Sequence, residues 1–72
     1  MTDLGLFLSK RSVNKAEISR KTGISKSRIT QLSNNLTTKL TVEELYKIAL
    51  SINIAPCDLL KDICKDITLP NQ

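Results

Sequence analysis

The chain contains no histidine and no tryptophan, and Phe7 and Tyr46 are its only aromatic residues. The missing histidine removes the commonest general base and metal ligand from the chemistry open to it. With so few aromatics, Leu and Ile must build the core, which favours helix packing over aromatic-rich strands. There are only two glycines and no Gly-rich phosphate loop. The acids stand at helix starts and on outer faces, where stabilising the helix dipole explains them. No catalytic residue, metal site, cofactor or small-molecule substrate is therefore expected, and the chain does not read as an enzyme. No run approaches the roughly 18 apolar residues of a membrane span. The opening "MTDLGLFLSKR" carries an early acid and no basic n-region, so it does not read as a secretory signal. A reducing cytoplasm is the expected compartment, with Cys57 and Cys64 as free, buried thiols. They stand seven apart on one helical face, too far to bridge each other, and zinc would need two more ligands.

What is present is a compact apolar complement and an uneven charge. A chain of 72 residues buries only about 60% of the surface its unfolded form exposes, and an apolar fraction of 40% suffices for that. The net charge of +4 is mild, but residues 10–39 hold Lys10, Arg11, Lys15, Arg20, Lys21, Lys26, Arg28 and Lys39 against the single acid Glu17. Outside that segment six acids face three lysines. A basic centre between acidic ends is the footprint of a polyanion-binding face, the bland alternative being a solvated surface that is basic by chance.

Spacing and capping residues predict five helices and no strand. The first spans Asp3 to Lys10, capped by Thr2 or Asp3, with Leu4, Phe7 and Leu8 inward. The second follows Asn14 and runs to Thr22, with Glu17 in the capping-box place, Val13 stapling onto Ile18, and Ser19 offering a close approach. Gly23 stops it in the left-handed region, Ile24 plugs inward and Ser25 caps a third helix over Lys26 to Ser33. There Ile29 and Leu32 point to the core, while Lys26, Ser27, Arg28, Thr30 and Gln31 stay outside. Asn34 and Asn35 close it with a left-handed turn. Thr41 caps the fourth helix, whose stripe is Val42, Leu45, Ile48, Ala49 and Ile52, and Asn53 offers another left-handed stop. Pro56 opens a fifth helix to about Lys65, with Leu59, Leu60, Ile63, Cys64 and Ile67 at helical spacing. Residues 1–67 make one domain and 68–72 a short, polar C-terminal tail. Helices two and three, each too short to stand alone, packed on the other three, would hold the third helix proud of the body: a helix-turn-helix, whose second helix enters the DNA major groove.

The segments "VNKAEISRKTG" and "ISKSRITQL", the two asparagines after them, and the later "LYKIALSINIAPCDLL" resemble the phage repressor and Cro family of helix-turn-helix regulators, also called Xre-like. The resemblance spans Val13 to Leu60, roughly two-thirds of the chain. It implies a compact, five-helix, lambda-repressor-like domain that binds double-stranded DNA. Lys26, Ser27 and Gln31 match the family's base-reading positions, with Arg28 beside them and able to reach a phosphate instead. Asn14 and Lys15 match positions that clamp a phosphate at a helix N-terminus. Asn34 and the backbone of Thr38 to Thr41, Lys39 included, match a second clamp. The Arg20, Lys21 and Lys39 side chains belong to the general field. The chemistry agrees: Lys and Arg suit guanine O6 and N7, Gln suits adenine, and Ser is permissive. Three departures stand out. Lys26 occupies a place where Gln is frequent, so adenine reading does not carry over there. Ser33 and Leu8 replace the usual Glu and its basic partner, removing a buried ion pair. Asn35 and Asn53 stand where Gly is usual.

By resemblance, the chain is expected to act as a homodimer on a pseudo-palindromic operator, as a bacterial or phage-encoded transcriptional regulator, most simply a repressor. Ile63 and Ile67, on a fifth-helix stripe longer than so small a body needs, are the candidate two-fold contact. The alternative is a protein-interaction module on the same fold, antitoxin-like or polymerase-contacting.

Overall fold

The computed structural model describes residues 1–70, and positions 71 and 72 of the expected tail lie outside the described residues. The five helices are α1 (Asp3–Lys10), α2 (Lys15–Thr22), α3 (Lys26–Asn34), α4 (Val42–Ser51) and α5 (Pro56–Ile63), with no strand among the described residues. The protein is all-α, as the spacing predicts.

Four of the five helices begin where a side chain can satisfy a free amide. Thr2 accepts from the Gly5 amide, Asn14 from Ala16, Ser25 from Arg28 and Thr41 from Glu44. At α4 the exchange is reciprocal: the Glu44 amide donates to Thr41 Oγ1 at 3.1 Å, and Thr41 N donates to Glu44 Oε1 at 3.0 Å. Only α5 lacks a side-chain cap, and there Pro56 removes one amide that would need a partner. At α2 the capping box fails. The Glu17 carboxylate turns instead to Arg20 and, at 3.9 Å, to Lys21. Those partners lie on its own exposed face, one turn on, where an i,i+3 or i,i+4 pair forms readily.

Three positions stop the helices in the left-handed region. Gly23 does so at φ 78 after α2, and Asn53 at φ 59 after α4. The third is Ser12, at φ 53, which nothing in the spacing marks. Ser12 and Asn53 sit in the same motif. Val13 N donates to Leu8 O and Ser12 N to Ser9 O; Ile54 N donates to Ala49 O and Asn53 N to Leu50 O. Two nested bonds of this kind with a left-handed residue between them make a Schellman ending, and each packs an apolar residue, Val13 or Ile54, onto the core. The left-handed turn expected at Asn34–Asn35 does not form. Asn35 is extended at φ −102, and its side-chain oxygen accepts from Thr37 N and Oγ1.

The core is Leu4, Leu8, Ile18, Ile29, Leu32, Leu45, Ile48, Ala49 and Leu59, ringed by Phe7, Val13, Ile24, Leu40, Ile52, Ile54 and Ile63. α1 lies on α3 and α5, α2 on α3 and α4, and α4 on α5. Val42 departs from the expected stripe: it is 83% exposed. Leu40, just before the cap, supplies the core contact there, standing at the staple position opposite Leu45. α5 ends at Ile63, short of Lys65, with Leu60, Ile67 and Leu69 exposed. Cys57 is exposed and Cys64 half-buried, not buried as expected. Both are free thiols, and Leu59 and Ile63 take the inward line of α5 in their place.

α1 approaches α3 so closely that only glycine fits at position 5. A Cβ there would stand 2.1 Å from the Ser33 carbonyl oxygen. Above it, Thr2 N donates to Ser33 O at 2.9 Å, and Thr2 Oγ1 donates to Leu32 O at 2.6 Å. The chain's second residue thus caps both the start of α1 and the carbonyl end of α3. Ser33 is buried, its hydroxyl donating to Ile29 O at 2.8 Å. This polar, backbone-centred joint lies at Ser33, where the resemblance led to no ion pair being expected.

Candidate nucleic-acid interface

α3 is fixed on three sides. Ile29 and Leu32 sink into the core, Ser33 meets the start of α1, and Ser25 caps its first turn. The turn before it is held by Thr22, whose hydroxyl donates to Ile18 O at 2.7 Å and accepts from Ile24 N at 3.1 Å. A polar bracket therefore fixes the turn between α2 and α3. What remains outward is a strip of side chains: Lys26, Ser27, Thr30 and Gln31 are all exposed. A short, rigid helix with one buried edge and one polar, cationic edge is the shape a groove about 12 Å wide admits.

Around this strip the structure places the other expected residues in two groups. Lys15, at the start of α2, and Asn34, at the end of α3, line one shallow groove with Gly5, Ser9 and Ser33. Asn14 lies next to it as the α2 cap, its Oδ1 accepting from Ala16 N at 2.8 Å. The second group lies in the 35–41 loop. There the amide of Thr38 donates to Asn35 O and that of Thr41 to Glu44 Oε1, so both are spent inside the protein. Lys15, Lys26 and Lys39 form no ion pair among the described residues, whereas Arg20 and Lys21 share Glu17.

Arg28 does not lie with the outward strip. Its Nε donates to Glu44 Oε2 at 2.8 Å, and its Nη2 donates to Glu44 Oε1 at 3.1 Å and to Lys39 O at 2.8 Å. Hydrogen bonding from Arg28 is the main cause that holds the Glu44 carboxyl down at about 2, against an ordinary 4.5, with the Thr41 amide and hydroxyl adding to it. The same pair raises the Arg28 guanidinium. Glu44 was legible in the sequence only as a first-turn acid. That it reaches across to α3 could not be read from spacing, because the partners are sixteen residues apart.

Neither the curated proteins nor the solved structures gave a match. A family model described as the Cro/C1-type HTH DNA-binding domain matches residues 4–65. The chain belongs to the Cro/C1-type helix-turn-helix family. In that family's terms α2 and α3 are the helix-turn-helix, Gly23 marks the turn, and the protein is a DNA-binding domain. The Cro/C1-type match begins within α1 and runs just past α5, so it takes in the whole five-helix body. No helix among the described residues is long and apolar enough to cross a membrane.

Proposed function

We propose that the protein is a sequence-specific transcriptional regulator, acting as a repressor, that lays α3 along the major groove and reads bases with Lys26, Ser27 and Gln31. The observation that carries this reading is the outward strip itself: three side chains suited to base edges, exposed together on a helix whose opposite edge is buried. Lys15 and Asn34, sharing a groove, with Asn14 beside them, would anchor one phosphate; Lys39 and the 38–41 backbone would anchor another. Since the Thr38 and Thr41 amides are occupied, that second anchor falls to Lys39 and the segment between them.

One α3 reads only a few base pairs, so a pair of copies on a pseudo-palindromic site completes the proposal. Leu60 on α5 and Ile67 and Leu69 beyond its end are exposed, Ile67 by 73%, which supports a two-fold contact through α5 and the segment after it. Ile63 is partly packed on the core and would contribute only its outer edge. Light scattering at micromolar concentration, with and without a duplex, tests this: a monomer's mass under both conditions rejects the pair.

Binding across a salt series gives the test of the reading as a whole. Lys15→Ala is expected to weaken binding to all duplexes alike and to flatten the salt slope by about one. A protein-binding role with a polymerase or a toxin-like partner is favoured by a different observation: Val42, Tyr46 and Leu50 are exposed at i, i+4 and i+8 along α4. Binding to random DNA that is absent or insensitive to salt would favour that second role.

A further inference from the structure

The first turn of α3 carries an arginine, the residue best suited to guanine, yet the structure holds it elsewhere. We propose that Glu44 is a specificity-determining positioning residue: by occupying Arg28 it withholds guanine reading from the first turn of α3 and ties that helix to the 35–41 loop. The inference rests on the DNA-binding reading above and deepens it.

The donor count supports it. An arginine has five N–H groups, one on Nε and two on each terminal nitrogen. Bidentate recognition of guanine O6 and N7 takes two parallel N–H groups from neighbouring nitrogens, either Nε with Nη2 or Nη1 with Nη2. In the structure Nε is spent on Glu44 Oε2, and Nη2 is spent on both Glu44 Oε1 and Lys39 O. Both forks need Nη2, so neither is open. What is left is Nη1, enough for a single phosphate oxygen and too little to identify a base. The pair is also well kept: the Glu44 side chain is only 17% exposed, and its carboxylate takes two further bonds from Thr41, each at 3.0 Å.

The same carboxylate therefore joins three things. It caps α4 through Thr41, grips α3 through Arg28, and through Arg28 holds the Lys39 carbonyl in the loop proposed to touch phosphate. A carboxylate this close to a DNA-facing helix also opposes the phosphate backbone, which Arg28 offsets only while the two stay paired. Removing the charge of Glu44 should then add a cation to the interface, and removing Arg28 should cost no base preference.

The test compares the full chain with Glu44→Gln, Arg28→Met and the double variant, each titrated with a random duplex across a salt series and each used to select duplexes from a random pool. Gln at position 44 retains the capping-box chemistry, so α4 keeps its start. Glu44→Gln is expected to steepen the salt slope by about one, to tighten random-duplex binding about threefold at low salt, and to gain a guanine preference at one base pair. Arg28→Met should weaken all duplexes alike and keep the parent's base preferences, and the double variant should show neither gain. The inference is overturned if Glu44→Gln keeps the parent's slope and selected motif, or if Arg28→Met loses discrimination at one base pair. Should Glu44→Gln fail to fold, the motif selected by Arg28→Met decides alone. A parent chain with no salt-dependent DNA binding removes the regulator reading and this inference together, whereas a parent that binds normally beside an unchanged Glu44→Gln removes only this one.

Discussion

Two single residues carry backbone demands that the side-chain pattern conceals. At Ser12 the chain enters the left-handed region with a Cβ, at φ 53, which for an L-residue costs roughly 1–2 kcal/mol. Ser12→Gly is expected to raise stability by about 1 kcal/mol in urea unfolding, with an unchanged m-value. At Gly5 the demand is distance rather than torsion. Any side chain would collide with the Ser33 carbonyl, a backbone atom that cannot swing away. Gly5→Ala should cost about 2–3 kcal/mol by the same measurement, because α1 must lift off the end of α3. Neither residue was legible in advance. Periodicity reports which face a residue occupies, whereas the separation of α1 and α3 depends on how two distant segments meet. The same holds for Cys57: helical spacing put it on one face with Cys64, both expected to be buried, but Leu59 and Ile63 take the inward line and leave Cys57 exposed.

At the scale of elements, the capping residues were the most informative signal. Thr2, Asn14, Ser25 and Thr41 each cap the helix that follows, since a side-chain oxygen near an unsatisfied amide is a local matter. Ends were harder. α5 stops two residues before Lys65, and Val42 leaves the α4 stripe because Leu40 already fills that part of the core. The joint between α3 and α4 was invisible from sequence, and it makes a prediction of its own. Glu44 titrates at about 2 in the folded protein and near 4.5 when free of its partners. A carboxyl depressed on folding contributes stability that is present above its unfolded value and lost as pH falls through the folded one. Part of the stability should therefore disappear between pH 4.5 and about 2. In Glu44→Gln that portion of the pH dependence, read as the urea midpoint at successive pH values, should be missing. A variant whose midpoint declines in parallel with the parent's would show that the pair adds nothing to folding.

For the molecule as a whole, the sequence displayed the fold class and the basic centre, and the structure sorts the basic centre by use. Of its eight cations, Arg20 and Lys21 share Glu17, Arg28 is held by Glu44, and Lys10 and Arg11 stand at the end of α1, Arg11 over the Phe7 ring. Lys15, Lys26 and Lys39 form no such pair among the described residues and border the outward edge of α3 or its flanks. The count of cations in the basic centre thus overstates the surface a polyanion meets, and Lys15, Lys26 and Lys39 locate it. In the proposed regulator that rigid, polar edge is what would read DNA. Duplex selection from a random pool with the parent chain and Gln31→Ala tests this most directly. The parent should return a two-fold motif, and Gln31→Ala should relax one base pair in each half while costing about 1–3 kcal/mol on the parent's best site. Identical motifs and affinities from the two proteins would contradict it.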